Sequence, residues 1–392
     1  MKPTIPWARP HLFGDEAGRM REALLSSWIS GGPFVDRFEQ AIGDFVGSRF
    51  ACAAANGTAA LHLAYLAMDI GPENEVILPG FAYLGAANVA LLCGARPVFA
   101  EVDPATWCLT AEAVNRVLTP RTRAVVAIHT YGNMCDMDSL NALLDPREIL
   151  VIEDAAEALG SRCGGRQAGS IGTMGTYSFH ATKTITTGEG GMVVTNDQSL
   201  FKRAQLYRSH GMARGVRHYW HEVAGHNFRL TNFQAAMGCA QFAHFAEIKQ
   251  RRAALHSQYR ERLQTQEGIN LQRFDSAVSP VLWALAVRLD PAAFPQGRDK
   301  VLQEMLDRGI ECRPGFYAPS QQPLYRALPL PICEDLARQV LSVPCYFELE
   351  EDQVDFICRT LLDLRSAPPS RIAPAATSTS APAAACEHAI HG

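Results

Sequence analysis

The stretch of this 392-residue chain best suited to chemistry is GTYSFHATKTITTGEGGMVVTND, residues 175–197. A β-like run from Gly175 to Phe179 leads to Lys183, and Gly188, Gly190 and Gly191 supply a tight turn before a strand that starts at Met192. A lysine framed in this way is held inside a domain. Burial disfavours its ammonium, lowers its pKa and frees the amine for imine formation. A solvated loop lysine is the plain alternative, and the segment alone does not separate the two. A second group is Asp154, the last residue of EILVIED (148–154). A carboxylate at the carboxyl end of a parallel strand points into the crevice where α/β sheets bind ligands. A helix N-cap aspartate would look the same. The third is Gly57-Thr58 in ANGTAALHLA (55–64), where the chain turns into a helix. Backbone N–H groups and the helix dipole favour a dianion there, although the pair also reads as an ordinary helix start.

These groups need a scaffold, and the surrounding pattern predicts one. Strands are expected at 75–79, 96–102, 123–131, 148–154 and 191–196, with helices at 58–68, 86–94 and 136–144 between them. Alternating strand and helix with short turns predicts an α/β fold, a mainly parallel sheet covered on both faces. From residue 231 to 266 apolar residues recur at spacings of three and four, which predicts one long helix. Such a helix joins a large domain (1–245) to a smaller C-terminal α+β domain (246–365). The small domain is expected to hold a strand at 281–289 and helices at 298–309 and 350–364. Residues 366–392 are rich in Ala, Pro and Ser and are expected to form a disordered tail.

Composition removes several function classes. A formal net charge of -4 with no Lys/Arg-rich run offers no footprint for nucleic acid. No stretch approaches the roughly 20 apolar residues that span a bilayer. The N-terminal segment has Pro and acidic residues where a signal peptide needs an apolar run, so a cytoplasmic protein is expected. The 11 cysteines show no C-x-x-C spacing and read as small buried apolar residues rather than as disulfides or metal ligands.

On these motifs the chain resembles the DegT/DnrJ/StrS family of sugar aminotransferases, fold type I enzymes that use pyridoxal 5'-phosphate (PLP). The resemblance runs in order from SWISGGPFVDRFE (27–39) to the last helix, roughly nine-tenths of the chain. It implies that Lys183 carries PLP as an imine. It also implies that Asp154, 29 residues earlier, pairs with the pyridine nitrogen and keeps it protonated, so that the ring acts as an electron sink. By the same resemblance Glu157 lies near the ring, and Gly57, Thr58 and Ser178 hold the phosphate. Tyr83, in LPGFAYLGAAN (78–88), stacks on the ring. Relatives often have Thr and Ala-Thr where this chain has Ala82 and Gly85-Ala86, so any hydroxyl contact from those positions is absent. Asn227, in GHNFRLTNFQAAMG (225–238), matches an asparagine that reaches the phosphate of a neighbouring subunit, which implies a homodimer with shared sites; a turn asparagine is the alternative. The implied donor is L-glutamate, with Lys183 acting as anchor, general base and general acid.

Three segments narrow the acceptor. SFHATKTITTGEGG, RHYWHEVAGHNFRLTN (217–232) and GIECRPGFYAPSQQPLY (309–325) look most like the perosamine-forming branch, which aminates position 4 of GDP-4-keto-6-deoxymannose. On this likeness Trp220, Arg313 and Tyr317 face the substrate, and Arg313 would pair with the nucleotide diphosphate. Surface or packing roles are the alternative for all three. Relatives read RPFFYP followed two residues later by His, whereas this chain has Gly315 and Ser320, so the sugar face of the pocket is altered. Other acceptors stay open: dTDP- or UDP-linked 3- or 4-keto sugars, or a cyclitol ketone. Sugar dehydratases of the same fold carry His in place of the lysine. Lys183 therefore favours the transaminase branch, and the intact Lys183, Asp154 and Ser178 argue against an idle binding scaffold.

Overall fold

The structure is a computed structural model and describes residues 5–213, 217–325 and 327–366. The tail expected from residue 366 lies, from residue 367 on, outside the described residues. The chain opens with helices α1 (Asp15–Leu25) and α2 (Pro33–Val46). It then alternates through β1 (Phe50–Ala54), α3 (Gly57–Ala67), β2 (Glu75–Pro79), α4 (Gly85–Leu92), β3 (Arg96–Ala100), α5 (Ala111–Asn115), β4 (Thr122–Ile128), α6 (Met137–Leu144) and β5 (Leu150–Asp154). A short hairpin, β6 (Arg162–Cys163) and β7 (Arg166–Gln167), precedes β8 (Met174–Ser178), β9 (Gly191–Thr195), α7 (Gln198–Arg208), α8 (Asn232–Ala243) and α9 (Phe245–Leu263). The remainder is β10 (Ile269–Leu271), β11 (Val278–Ser279), β12 (Leu285–Leu289), α10 (Arg298–Asp307), β13 (Arg313–Pro314), α11 (Pro331–Gln339), β14 (Val340–Val343) and α12 (Glu351–Asp363).

Seven strands form the main sheet in the order β1-β9-β8-β5-β4-β2-β3. The pairs from β8 to β3 are all parallel, and β9 alone runs against its two neighbours. Adjacent apolar residues serve opposite faces, as a period of two requires. Leu78, Val126 and Ile152 pack with α3 residues such as Leu63 on one side, while Ile77, Val125 and Val151 pack with Leu140 and Leu144 of α6 on the other. Burying each such side chain contributes about 1.5–3 kcal/mol, which is why strands buried on both faces read as continuous apolar runs. The register then sets the site. Ala54 pairs with Gly191, Gly191 with Ser178, Thr176 with Asp154 and Asp154 with Ile128. The carboxyl ends of β1, β8, β5 and β4 therefore meet at one edge.

Three expectations need correction. The strand expected at 123–131 stops at Ile128, because the chain turns at Tyr131, whose φ is +58°. The helix expected across 231–266 is broken at His244 (φ -99°, ψ 11°), where the imidazole stacks on Phe13 at 4.0 Å and contacts Asp15 at 3.2 Å. The strand expected at 281–289 begins only at Leu285, which leaves Trp283 in the segment before it. The C-terminal elements build a separate four-stranded sheet, β10-β12-β14-β13, over a core that includes Leu255 and Tyr259 of α9, Val287, Leu341, Ile357 and Leu361. Among the described residues no helix is long and apolar enough to cross a membrane.

Candidate active site

Lys183 sits five residues past the end of β8, in a turn where its N–H donates to the His180 carbonyl at 2.9 Å. The loop then reverses through Gly188, whose φ of +79° is open to glycine at little cost. It re-enters the sheet at Gly191, where a Cβ would lie 2.3 Å from the Asn56 carbonyl oxygen, so only glycine fits. The lysine side chain is 14% exposed. Its Nζ lies 3.6 Å from Glu157 Oε1 and 3.8 Å from the centre of the Trp283 ring. Burial pushes its pKa below the ordinary lysine value, and the Glu157 and Asp154 carboxylates oppose that shift without cancelling it.

Two adjacent carboxylates end β5, and strand alternation sends them to different tasks. Glu153 is fully buried; it accepts N–H bonds from Gly169 (2.9 Å), Ile171 (2.5 Å) and Gly172 (2.5 Å). His129 Nε2 stands 2.9 Å from the same carboxylate, to which it donates, and its Nδ1 lies 3.3 Å from the Cys135 backbone nitrogen. Burial would raise the Glu153 carboxyl; His129 and these N–H groups outweigh it and hold the pKa below the usual value. Glu153 is thus committed to structure. Asp154 is also buried, yet among the described residues its side chain accepts only the Ala156 N–H, at 3.1 Å. Burial pushes its pKa up, with Lys183 and His129 pulling the other way. A buried carboxylate with one backbone donor, at the crevice edge of the sheet, fits a cationic ring nitrogen. Glu157 accepts the Tyr131 N–H at 2.8 Å through its second oxygen, and burial raises its pKa as well.

The third group is a cradle at the N-terminus of α3. Asn56 caps the helix by accepting the Ala59 N–H at 2.8 Å. A Cβ on Gly57 would meet Ser178 Cβ at 2.8 Å and Oγ at 3.2 Å, so helix start and serine face each other across a gap only glycine leaves open. Helix N–H groups beside a hydroxyl suit a phosphate dianion. Thr58 is exposed at the same helix start. Gly57→Ala should overpack this cradle at about 1–3 kcal/mol, so affinity for PLP is expected to fall about 5- to 150-fold. Titration of the cofactor-free protein by absorbance measures this, and an unchanged Kd would place the phosphate elsewhere.

Tyr83 is 67% exposed four residues past the end of β2, with its ring against Gly85. The residues expected on the substrate side are more scattered. Arg313 is exposed, bonds Glu311 at 2.6 Å and reaches over the Trp7 ring, which is edge-on to Trp283. Two rings therefore separate it from Lys183. Tyr317 lies beside the Arg298 guanidinium, 5.3 Å from it, and Trp220 under that of Arg217 at 4.4 Å. Asn227 is exposed and pairs in a bridge with Ser209, and among the described residues no hydrogen bond, ion pair or ring contact joins it to Lys183. Gly315 is packed on Val340, where a Cβ would lie 2.8 Å from Val340 Cβ, and the Ser320 hydroxyl donates to Glu334 at 2.6 Å.

Sequence reasoning missed His129, Tyr131 and Trp283. His129 follows the end of β4, so the strand-end argument applied to Asp154 could have found it. Trp283 has no local signal; only the approach of the C-terminal half brings it to the lysine. The amine, the buried Asp154 carboxylate, the Gly57–Ser178 cradle and the exposed Tyr83 ring together fit PLP.

Residues 11–362 match the DegT/DnrJ/EryC1/StrS aminotransferase family. A GDP-perosamine synthase of Caulobacter vibrioides is 39% identical over 365 residues, 92% of this chain and 98% of that protein. Another, from Escherichia coli O157:H7, is 35% identical over 92% of this chain and 99% of its own. The crystal structure of the aminotransferase TlmJ from Streptoalloteichus hindustanus superposes with a TM-score of 0.87 at 29% identity, covering 92% of this chain and 98% of that one.

Proposed function

Because the chain belongs to the DegT/DnrJ/EryC1/StrS aminotransferase family, we propose that it is a PLP-dependent transaminase that moves the amino group of L-glutamate onto position 4 of a GDP-linked 4-keto-6-deoxy sugar. The observation that carries the reaction type is the Lys183 amine, buried between Glu157 and the Trp283 ring at the sheet edge that Asp154 closes. The acceptor class rests on the near full-length similarity to the two GDP-perosamine synthases.

When bound, PLP supplies a carbonyl carbon for the amine and an electron sink for the pair left when the donor's α-carbon loses its proton. The chain's own residues do the rest. Lys183 would anchor the cofactor, and its freed Nζ would take the donor's α-proton and deliver it across the nitrogen to the cofactor's carbonyl carbon. Burial suits that task, because a lowered pKa leaves more of the amine neutral. Asp154 would hold the proton on the ring nitrogen, while Gly57, Thr58 and Ser178 would hold the phosphate and Tyr83 would supply an aromatic face for the ring. Glu157, fixed by the Tyr131 N–H, keeps a carboxylate beside Nζ. In this reading residues 1–245 bind the cofactor and residues 246–365 bring Trp283, Arg313 and Tyr317 to its rim. Asn227, exposed on its own chain, completes the phosphate site of a second subunit, and Trp220 on the same segment faces the substrate. The enzyme is then a cytoplasmic homodimer.

One observation favours a second reading, an acceptor on another nucleotide or a cyclitol ketone. Ser320, already bonded to Glu334, stands where the perosamine-forming branch carries His. The deciding experiment mixes the glutamate-treated enzyme with GDP-, dTDP- and UDP-linked 4-keto sugars and identifies the aminated product by mass and NMR. Amination of the GDP sugar is expected. Amination of only a dTDP or UDP sugar would replace the proposed acceptor.

A further inference from the structure

Trp283 is fixed from three sides. Its indole Nε1–H donates to the carbonyl of Thr182, the residue before the lysine, at 2.8 Å. Its own carbonyl accepts from Arg252 Nη1 at 2.9 Å. Its ring lies parallel to Tyr131 (centroids 6.1 Å apart, planes 12° apart) and edge-on to Trp7 at 5.4 Å. Tyr131 is itself held at φ +58°, an uncommon conformation for a bulky aromatic, and its N–H is what orients Glu157. Backbone strain, carboxylate and ring stack therefore converge on one atom, Lys183 Nζ, at 3.8 Å from the indole centre and 3.6 Å from Glu157 Oε1.

An ammonium over an indole face is attracted by the ring quadrupole, most strongly where water is excluded. We propose that Trp283 is a positioning residue for Lys183, its indole face holding the ε-amine beside Glu157 whenever that amine is not bonded to the cofactor. The effect on turnover rests on the transaminase reading above; the holding of the amine does not. The charged groups facing Nζ are Glu157 and Asp154, and Arg9, His11 and Arg252 border a cavity of about 30 Å³ behind the lysine.

The test has two arms, on Trp283→Leu, which keeps apolar bulk and removes the face, and Trp283→Phe, which keeps a face and removes the N–H. Trp283→Met is a second apolar replacement if the leucine variant folds poorly. In the first arm, cofactor-free full-length protein is acylated across a pH series, and the rate at residue 183 is read by peptide mass spectrometry. Loss of the ring should lower the titration midpoint of Lys183 in the leucine variant by about one pH unit, while the phenylalanine variant stays close to the parent. A merely structural role would admit water and move the midpoint upward. An unchanged or raised midpoint overturns the proposal.

In the second arm, the glutamate half-reaction of the loaded enzyme should slow about 5- to 30-fold in kcat for the leucine variant. KM for glutamate should stay within about twofold, and phenylalanine should recover most of the rate. A loss confined to KM, or no recovery with phenylalanine, also overturns it. If the parent enzyme ignores glutamate, the transaminase reading fails while the first arm still decides the role of Trp283.

Discussion

Lys183→Ala is expected to lose about 10⁴-fold or more in kcat, since positioned proton transfer alone contributes about 10²–10⁴-fold and the covalent anchor goes with it. The geometry explains why no neighbour substitutes. Among the described residues the groups against Nζ are two carboxylates, Glu157 and Asp154, and the Trp283 ring, with Arg9, His11 and Arg252 lining the adjoining cavity. None offers a neutral amine. Lys183→Arg should be as inactive as the alanine variant, because a guanidinium stays charged at any working pH. A small primary amine such as methylamine should restore part of the alanine variant's rate by filling the space vacated. PLP should still bind, without a bond to the chain, through the Gly57–Ser178 cradle and Asp154. Single-turnover amination with the sugar acceptor measures the loss. An alanine variant retaining more than about one hundredth of the parent rate would move the catalytic amine elsewhere.

Asp154→Asn should lower kcat by about 150- to 5,000-fold, the rate equivalent of the about 3–5 kcal/mol that follows when one partner of a buried charge pair is removed. The amide keeps the shape and the Ala156 N–H bond but cannot hold a ring nitrogen in its protonated form. The same change has an opposite effect on the cofactor-free protein. Burial raises the Asp154 pKa, so the folded state binds this proton more tightly than the unfolded one. Stability from this group is then present below the unfolded value near 3.9 and is lost as pH rises through the folded value. Near neutral pH the parent therefore holds a carboxylate that burial disfavours. Asp154→Asn should raise the Tm of the cofactor-free protein at neutral pH and flatten its fall with rising pH. Thermal scans of both proteins without PLP check this. A lower Tm for the asparagine variant across the range would show that Asp154 is satisfied without the cofactor.

Much of the site was legible because its residues sit at strand and helix ends. Asp154, Ser178 and Gly57 lie where a strand stops or a helix starts, and local sequence marks two of those points, with a Val-Ile run before Asp154 and an Asn-Gly pair at the start of α3. The flanking glycines of Lys183 likewise mark a turn. The two halves of the long helical stretch were read as one, since apolar spacing continues through His244 and the break comes from contacts with Phe13 and Asp15, more than two hundred residues away. Asn227 and Trp220 were assigned by likeness alone, and among the described residues no contact joins either to Lys183.

By itself the sequence determined the alternation of strands and helices and the parallel core of the large sheet. Those follow from periodicity and turn chemistry, which act over a few residues. Only the tertiary structure decided which of the neighbouring carboxylates Glu153 and Asp154 is committed to structure. It alone brought His129 to Glu153, bent Tyr131 toward Glu157 and laid Trp283, a hundred residues away in the chain, over the lysine. Burial and pairing depend on what folds back onto a residue, and long-range packing leaves no mark on the residues beside it.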